Sequence, residues 1–100
     1  MSERGRIFYQ IGYIEARRNN CIIYIANKTG GIPVSTNINS IMELLPQDQF
    51  CRIHRSYIIC IDSIKKINRQ KTRVYYLNDQ TLPVSAGFLQ NLLDKITLIK

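Results

Sequence analysis

Acidic residues are scarce in this chain. Seven Asp and Glu stand against 14 Lys and Arg in 100 residues, a net charge of +7 with a pI near 9.6. That excess points to a polyanionic partner, either nucleic acid or an acidic membrane surface, and charge alone does not separate the two. No apolar run approaches the ~20 residues that span a bilayer, which argues against membrane insertion. The start, Met1-Ser2-Glu3-Arg4-Gly5-Arg6, lacks the apolar stretch of a signal peptide. Cysteines number only 3, an odd count without a secretory signal, which favours reduced thiols in the cytoplasm. No phosphoacceptor constellation precedes Tyr13. The expectation is therefore one domain over residues 1–100, without an upstream receiver or sensor region.

What is present suffices for a core: 45% of residues are apolar, a globular value that requires no metal or disulfide. β-prone stretches occupy 7–9 and 11–16, although 11–13 also fits a turn of helix. The polar, basic segment Arg17-Arg18-Asn19-Asn20 reads as a loop. Residues 21–26 form a strand, 27–31 a turn, and 32–35 a short strand that Pro33 assigns to a sheet edge. A helix fits 37–45, with Ile38, Ile41, Met42 and Leu45 on one face, Thr36 or Asn37 as cap and Pro46 beyond its end. Strands at 50–53 and 56–61 meet at a basic kink, His54-Arg55. Stretches 64–69 and 72–77 make a hairpin about Gln70-Lys71. A turn at 78–80 leads to a strand at 81–84 and a last helix at 86–96, capped by Ser85. The fold class is mostly β with two short helices.

The charge is unevenly placed. Arg52, Arg55, Lys65, Lys66, Arg69, Lys71 and Arg73 are half of all the Lys and Arg, and only Asp62 opposes them between 51 and 73. Residues 37–50 carry no Lys or Arg, and include Glu43 and Asp48. A surface presenting seven cations neutralises several phosphates and binds with a steep salt dependence. A solvated hairpin whose lysines blunt an exposed edge accounts for the same charge. In the 17–20 loop, Arg suits guanine and Asn suits adenine, although a plain polar turn has the same composition. His54 either wedges the kink or touches a ligand.

Other chemistries fit less well. Cys51-x-x-His54 with Cys60 nearby invites zinc, but strand alternation sets Cys51 and His54 on opposite faces and no fourth ligand stands near. A Cys–His nucleophile meets the same obstacle, and no acid is placed to orient the His. No enzyme activity, metal or cofactor is expected. Membrane adsorption wants a basic face on an amphipathic helix; 37–45 has no cation and 86–96 only Lys95. Single-stranded RNA wants exposed aromatic platforms; Tyr75 and Tyr76 are candidates, but alternation buries one.

Tyr13-Ile14-Glu15-Ala16, then Phe50-Cys51-Arg52-Ile53-His54-Arg55-Ser56-Tyr57-Ile58-Ile59, then Leu82-Pro83-Val84-Ser85 resembles the signature of the LytTR family, in order and in spacing. The resemblance covers about 13–93. It implies an elongated, multi-sheet DNA-binding fold in which loops, not a recognition helix, enter successive major grooves. It implies sequence-specific binding to direct repeats in transcription regulation, as a possible homodimer on DNA. Such domains usually sit behind the receiver domain of bacterial response regulators. Carried over, Arg17, Arg18, Asn19, Asn20 and Cys21 lie near one groove. Arg55 makes the central contact, with His54 and Ser56 beside it, and Ser85 and Ala86 enter the second groove; Lys71 and Arg73 of the basic hairpin are site candidates by charge. Family members often carry Arg just after P-V-S, where this chain has Ala86, and Cys60 replaces a usual Asn. A basic module for RNA or acidic membrane surfaces, without DNA readout, is the alternative.

Overall fold

A computed structural model describes residues 10–26, 28–77 and 80–99. The expected strand at 7–9, and parts of the expected turns at 27–31 and 78–80, lie outside them. Among the described residues, eight strands and two helices follow in the order β1 (Ile11–Ala16), β2 (Cys21–Ile25), β3 (Gly31–Val34), α1 (Ile38–Leu44), β4 (Phe50–His54), β5 (Tyr57–Cys60), β6 (Lys66–Ile67), β7 (Arg73–Tyr75), β8 (Thr81–Pro83) and α2 (Ala86–Ile99). A 3-10 turn, Ile61–Ser63, ends β5 one residue earlier than expected. The strands form two antiparallel sheets, one of five strands in the order β3-β2-β1-β5-β4 and one of three in the order β6-β7-β8. The multi-sheet architecture is thus present. Its principal extents are 35 × 34 × 26 Å.

The large sheet is apolar on both faces, because β1, β4 and β5 carry core residues at successive positions. One face packs Ile11, Ile14, Cys21, Phe50 and Ile58 against Ile38, Ile41 and Leu45 of the α1 segment. The other packs Tyr13, Cys51, Ile53 and Ile59 against Val74, Tyr76 and Leu82 of the small sheet and Leu92 of α2. Asn37 caps α1, its side-chain oxygen accepting from the Ser40 N–H at 2.8 Å. At the other end Gln47 Nε2 donates to the carbonyls of Met42 and Leu45, satisfying groups the last turn leaves open.

The edges follow from sequence chemistry. Pro33 lies in edge strand β3, as expected of a residue that cannot donate, and Pro83 lies in edge strand β8. The β4 edge is instead covered by α2: the Ser85 N–H donates to the Ile53 carbonyl and Lys95 Nζ to the Phe50 carbonyl. These bonds also fix where α2 begins, which positions the site.

Candidate nucleic-acid interface

Four connections gather at one end of the sheets. The β1–β2 loop is closed by the Arg17 N–H donating to the Asn20 carbonyl at 2.8 Å. It leaves Arg17, Arg18 and Asn19 exposed and Asn20 half-buried. The β4–β5 turn sits beside it, since the Ala16 N–H donates to the Ser56 carbonyl at 2.8 Å. The β8–α2 junction docks on the end of β4 beside that turn, through Ser85 N–H to the Ile53 carbonyl at 2.9 Å. The β6–β7 hairpin joins the junction through Val84 N–H to Thr72 carbonyl at 2.8 Å. Main-chain bonds thus tie four loops into one row, and 11 of the 12 residues expected at a DNA surface lie on it.

The twelfth is Cys21, and its expected place is corrected. Its side chain is fully buried against α1. It opens β2 opposite Ala16, and the strand's alternation turns its thiol inward. Burial raises the thiol pKa of Cys21, and likewise of Cys51 and Cys60, so all three are held as neutral thiols.

His54 wedges its turn: Nδ1 accepts the Ser56 N–H at 3.1 Å, which leaves the ring proton on Nε2. Its ring lies 5.6 Å from that of Tyr57. A bulge between Arg52 and His54 breaks the alternation that was expected to set Cys51 and His54 on opposite faces. The two groups nonetheless have separate partners, Cys51 Sγ accepting from Asn91 Nδ2 at 3.6 Å inside the core. Among the described residues no cluster of three or more His, Cys, Asp or Glu is placed to hold a metal.

The basic hairpin and its neighbours were expected to present seven cations together, and the structure divides them. Arg52 is a strut. Its Nε donates to the His54 carbonyl at 2.9 Å, Nη1 to Asn39 Oδ1 at 2.8 Å and Nη2 to the Arg55 carbonyl. Its guanidinium also lies 5.4 Å over the Phe88 ring. One side chain therefore joins α1, the β4–β5 turn and α2. Lys66 Nζ lies 4.6 Å over the Tyr75 ring, and Lys65 N–H bonds the Tyr75 carbonyl, at the end of β7 away from the row. Arg55, Arg69, Lys71 and Arg73 remain at the row, and all four are exposed.

Asn68 shapes the hairpin that carries Lys71 and Arg73. Its Oδ1 accepts from the Thr72 and Arg73 N–H groups at 2.8 and 2.9 Å, and its Nδ2 donates to Thr72 Oγ1 at 2.9 Å. Lys71 takes the left-handed conformation at φ 59, which presents its side chain at the tip. Arg73 Nη1 donates to Thr81 Oγ1 at 3.2 Å across the strand pair. At the α2 start, Ser85 accepts from the Phe88 N–H through its carbonyl, Ala86 and Gly87 are exposed, and nothing lies within 4 Å of where a Gly87 side chain would begin.

Sequence reasoning missed the parts played by Arg52, Asn68 and Glu15. Glu15 is paired with Arg17 at 3.1 Å and accepts from the Tyr24 and Tyr57 hydroxyls. Arg52 and Glu15 gave one signal, a polar residue within an otherwise apolar strand, which Asn68 beside Lys66–Ile67 did not give.

No helix of the described residues is long and apolar enough to cross a membrane. The family model described as the LytTr DNA-binding domain matches residues 7–97. No curated protein sequence matches the chain significantly. Among solved structures the chain is similar to the LytTr DNA-binding domain of a Bacillus cereus protein named as a methyl-accepting/DNA response regulator. The match has 25% identity and a TM-score of 0.76, over 89% of this chain and 83% of that one. The two-sheet fold and the match over nearly the whole chain agree, and the chain belongs to the LytTR family of DNA-binding domains.

Proposed function

We propose that this chain is a sequence-specific reader of double-stranded DNA that acts in transcription regulation through the four-loop row. The observation that carries the reading is the series of main-chain bonds linking the loops. Groove-reading elements must hold their spacing against the duplex, and this row is spaced by the backbone itself. In this reading Arg18, Asn19 and Asn20 meet base edges in one major groove. Arg55 makes the central contact, with His54 and Ser56 holding its turn. Arg17, Lys71 and Arg73 take phosphates, and Ser85 and Ala86 bring the start of α2 to the second groove. The exposed, uncrowded Ala86–Gly87 start admits the backbone closely but supplies no arginine, so discrimination rests more on the β1–β2 loop and Arg55. Direct repeats, pairing of two copies on DNA and an attached receiver domain fit the same reading, and buried, neutral thiols suit a cytoplasmic protein.

The RNA alternative is less well supported. Tyr76 is buried and Lys66 lies over the ring of Tyr75, so neither offers the bare platform that stacked bases need. Selection from a pool of random duplexes at two salt concentrations tests the proposal. A short enriched repeat, with half-sites about one helical turn apart, is the expected outcome. Salt-sensitive binding that enriches nothing removes the readout and leaves only the charge. No binding at low salt removes the DNA reading.

A further inference from the structure

Glu15 is out of place by charge. Segments 15–20, 53–56, 68–73 and 84–87 contain Arg17, Arg18, Arg55, Arg69, Lys71 and Arg73, and Glu15 is their one carboxylate. Its two oxygens are shared among three partners. Tyr24 Oη donates to Oε1 at 3.1 Å, Tyr57 Oη donates to Oε2 at 3.3 Å, and Arg17 Nη2 lies 3.1 Å from Oε1. The two tyrosines come from the strands on either side of β1, with Glu15 paired to Tyr57 in the register and Tyr24 two positions along from Ile22. The carboxylate is therefore built into the sheet, not carried on a mobile tip. Burial, the largest cause, raises the Tyr57 phenol pKa, so that donor stays protonated.

Arg17 differs. Its side chain is 54% exposed, while that of Glu15 is 22% exposed. Its backbone is fixed by the bond to Asn20, yet its guanidinium folds back onto the sheet face instead of projecting with Arg18. An ion pair whose cation is open to solvent is weak and exchangeable. A phosphate can be gripped bidentately, where Glu15 meets the guanidinium through one oxygen only, and it adds the field of the duplex.

We infer that Glu15 is a specificity-determining residue: its carboxylate stands in for a DNA phosphate in the free protein and parks Arg17 until the β1–β2 loop is seated in a groove. On random duplex the loop does not seat, Arg17 stays on Glu15, and one phosphate contact is withheld. On the cognate site the guanidinium changes partner. The inference rests on the proposed DNA interface and adds to it a mechanism for rejecting wrong sequences.

The test compares the duplex selected above with a scrambled duplex of equal length, across a salt series, for the wild-type chain, Glu15→Gln and Arg17→Gln. Glu15→Gln keeps an oxygen for one tyrosine, turns an N–H donor toward the other, whose hydroxyl can accept it, and releases the arginine. It is expected to bind scrambled duplex about three- to tenfold more tightly, with a salt slope steeper by about one. The selected duplex changes less, so the ratio falls. Arg17→Gln is expected to weaken the selected duplex and leave scrambled binding unchanged. Equal loss on both duplexes in Glu15→Gln, or no change on either, overturns the inference and leaves Glu15 as a structural group. Loss of scrambled binding in Arg17→Gln overturns it too, and that variant decides alone if Glu15→Gln does not fold. Failure of the wild-type chain to bind either duplex is a different result: it removes the interface itself, and this inference with it.

Discussion

The two faces of the large sheet are built of different materials. The face under α1 is nearly all aliphatic, with Ile11, Ile14, Ile58, Ile38 and Ile41 around Phe50. The face under the small sheet is organised by phenols. Tyr13 stacks on Tyr24 with centroids 4.4 Å apart, meets Tyr76 edge-on at 5.1 Å, and accepts from Gln80 Nε2 at 2.9 Å. The first face holds the sheet by area removed from water, which is tolerant of small rotations. The second holds two sheets at one angle by directional contacts, and through Tyr24, Tyr57 and Glu15 it reaches the loop row. Stability and aim are thereby assigned to opposite sides of one sheet.

Substitutions can break that division. Ile58→Ala, on the aliphatic side and fully buried, is expected to cost about 2–5 kcal/mol in denaturant unfolding, while the folded fraction keeps its DNA affinity. A matching loss of specific affinity in folded protein would show that the two faces are not separable. Gly12→Ala acts on the phenol side. The new methyl would meet Tyr76 Oη at 1.5 Å, so the ring must move. About 1–3 kcal/mol of stability is expected to go, and DNA affinity with it, because the sheets change angle. Arg55→Ala belongs to neither face. Specific binding should weaken by about 1–3 kcal/mol and unfolding should shift by less than about 0.5 kcal/mol, as for other exposed positions. An unchanged affinity removes Arg55 from the interface.

The gentlest test is alkali. Burial, the largest cause in each, raises the phenol pKa values of Tyr13, Tyr57 and Tyr76 above the ordinary 10.0. The folded state thus keeps protons that the unfolded chain loses, and stability falls as pH rises through and above 10. It is fully present below that range. The phenol face should respond first: methyl resonances of Ile53 and Ile59 are expected to move with rising pH before those of Ile14 and Ile58. Simultaneous movement would mean that the sheet answers as a whole.

How much of this was legible in the sequence depended on whether a signal was local. The Asn37 cap, the 3.6-residue spacing in α1 and Pro33 at an edge each act within a few residues, and each is found where expected. The hairpin turn at Gln70-Lys71 is also where expected, although its strands shrink to Lys66–Ile67 and Arg73–Tyr75 because Asn68 takes the bonds a longer ladder would use. Helix α2 runs to Ile99, three residues beyond the expected end. Cys21 was read correctly as the start of a strand, but the resemblance set it beside a groove; as the first residue of β2 its side chain faces the core. Arg52 read as one more cation in a basic stretch. Its partners, Asn39 and Phe88, lie 13 and 36 positions away, and no periodicity connects them. The family motif marked the β4–β5 turn, which is held to its neighbours by the Arg52 side chain and by main-chain bonding, and the latter leaves no mark on residue type.

Those main-chain bonds have an evolutionary consequence. A side chain can be exchanged by a single mutation, but an N–H or a carbonyl persists through almost every substitution, proline excepted. The bonds that space the loops, from Ala16, Val84 and Ser85, are of this durable kind, while Arg18, Asn19, Lys71 and Ala86 at the tips bear little structural duty. Such a row behaves like a typesetter's frame: the letters are replaceable because the spacing does not depend on them. An arginine placed at Ala86 would then be one changed letter in an unchanged frame.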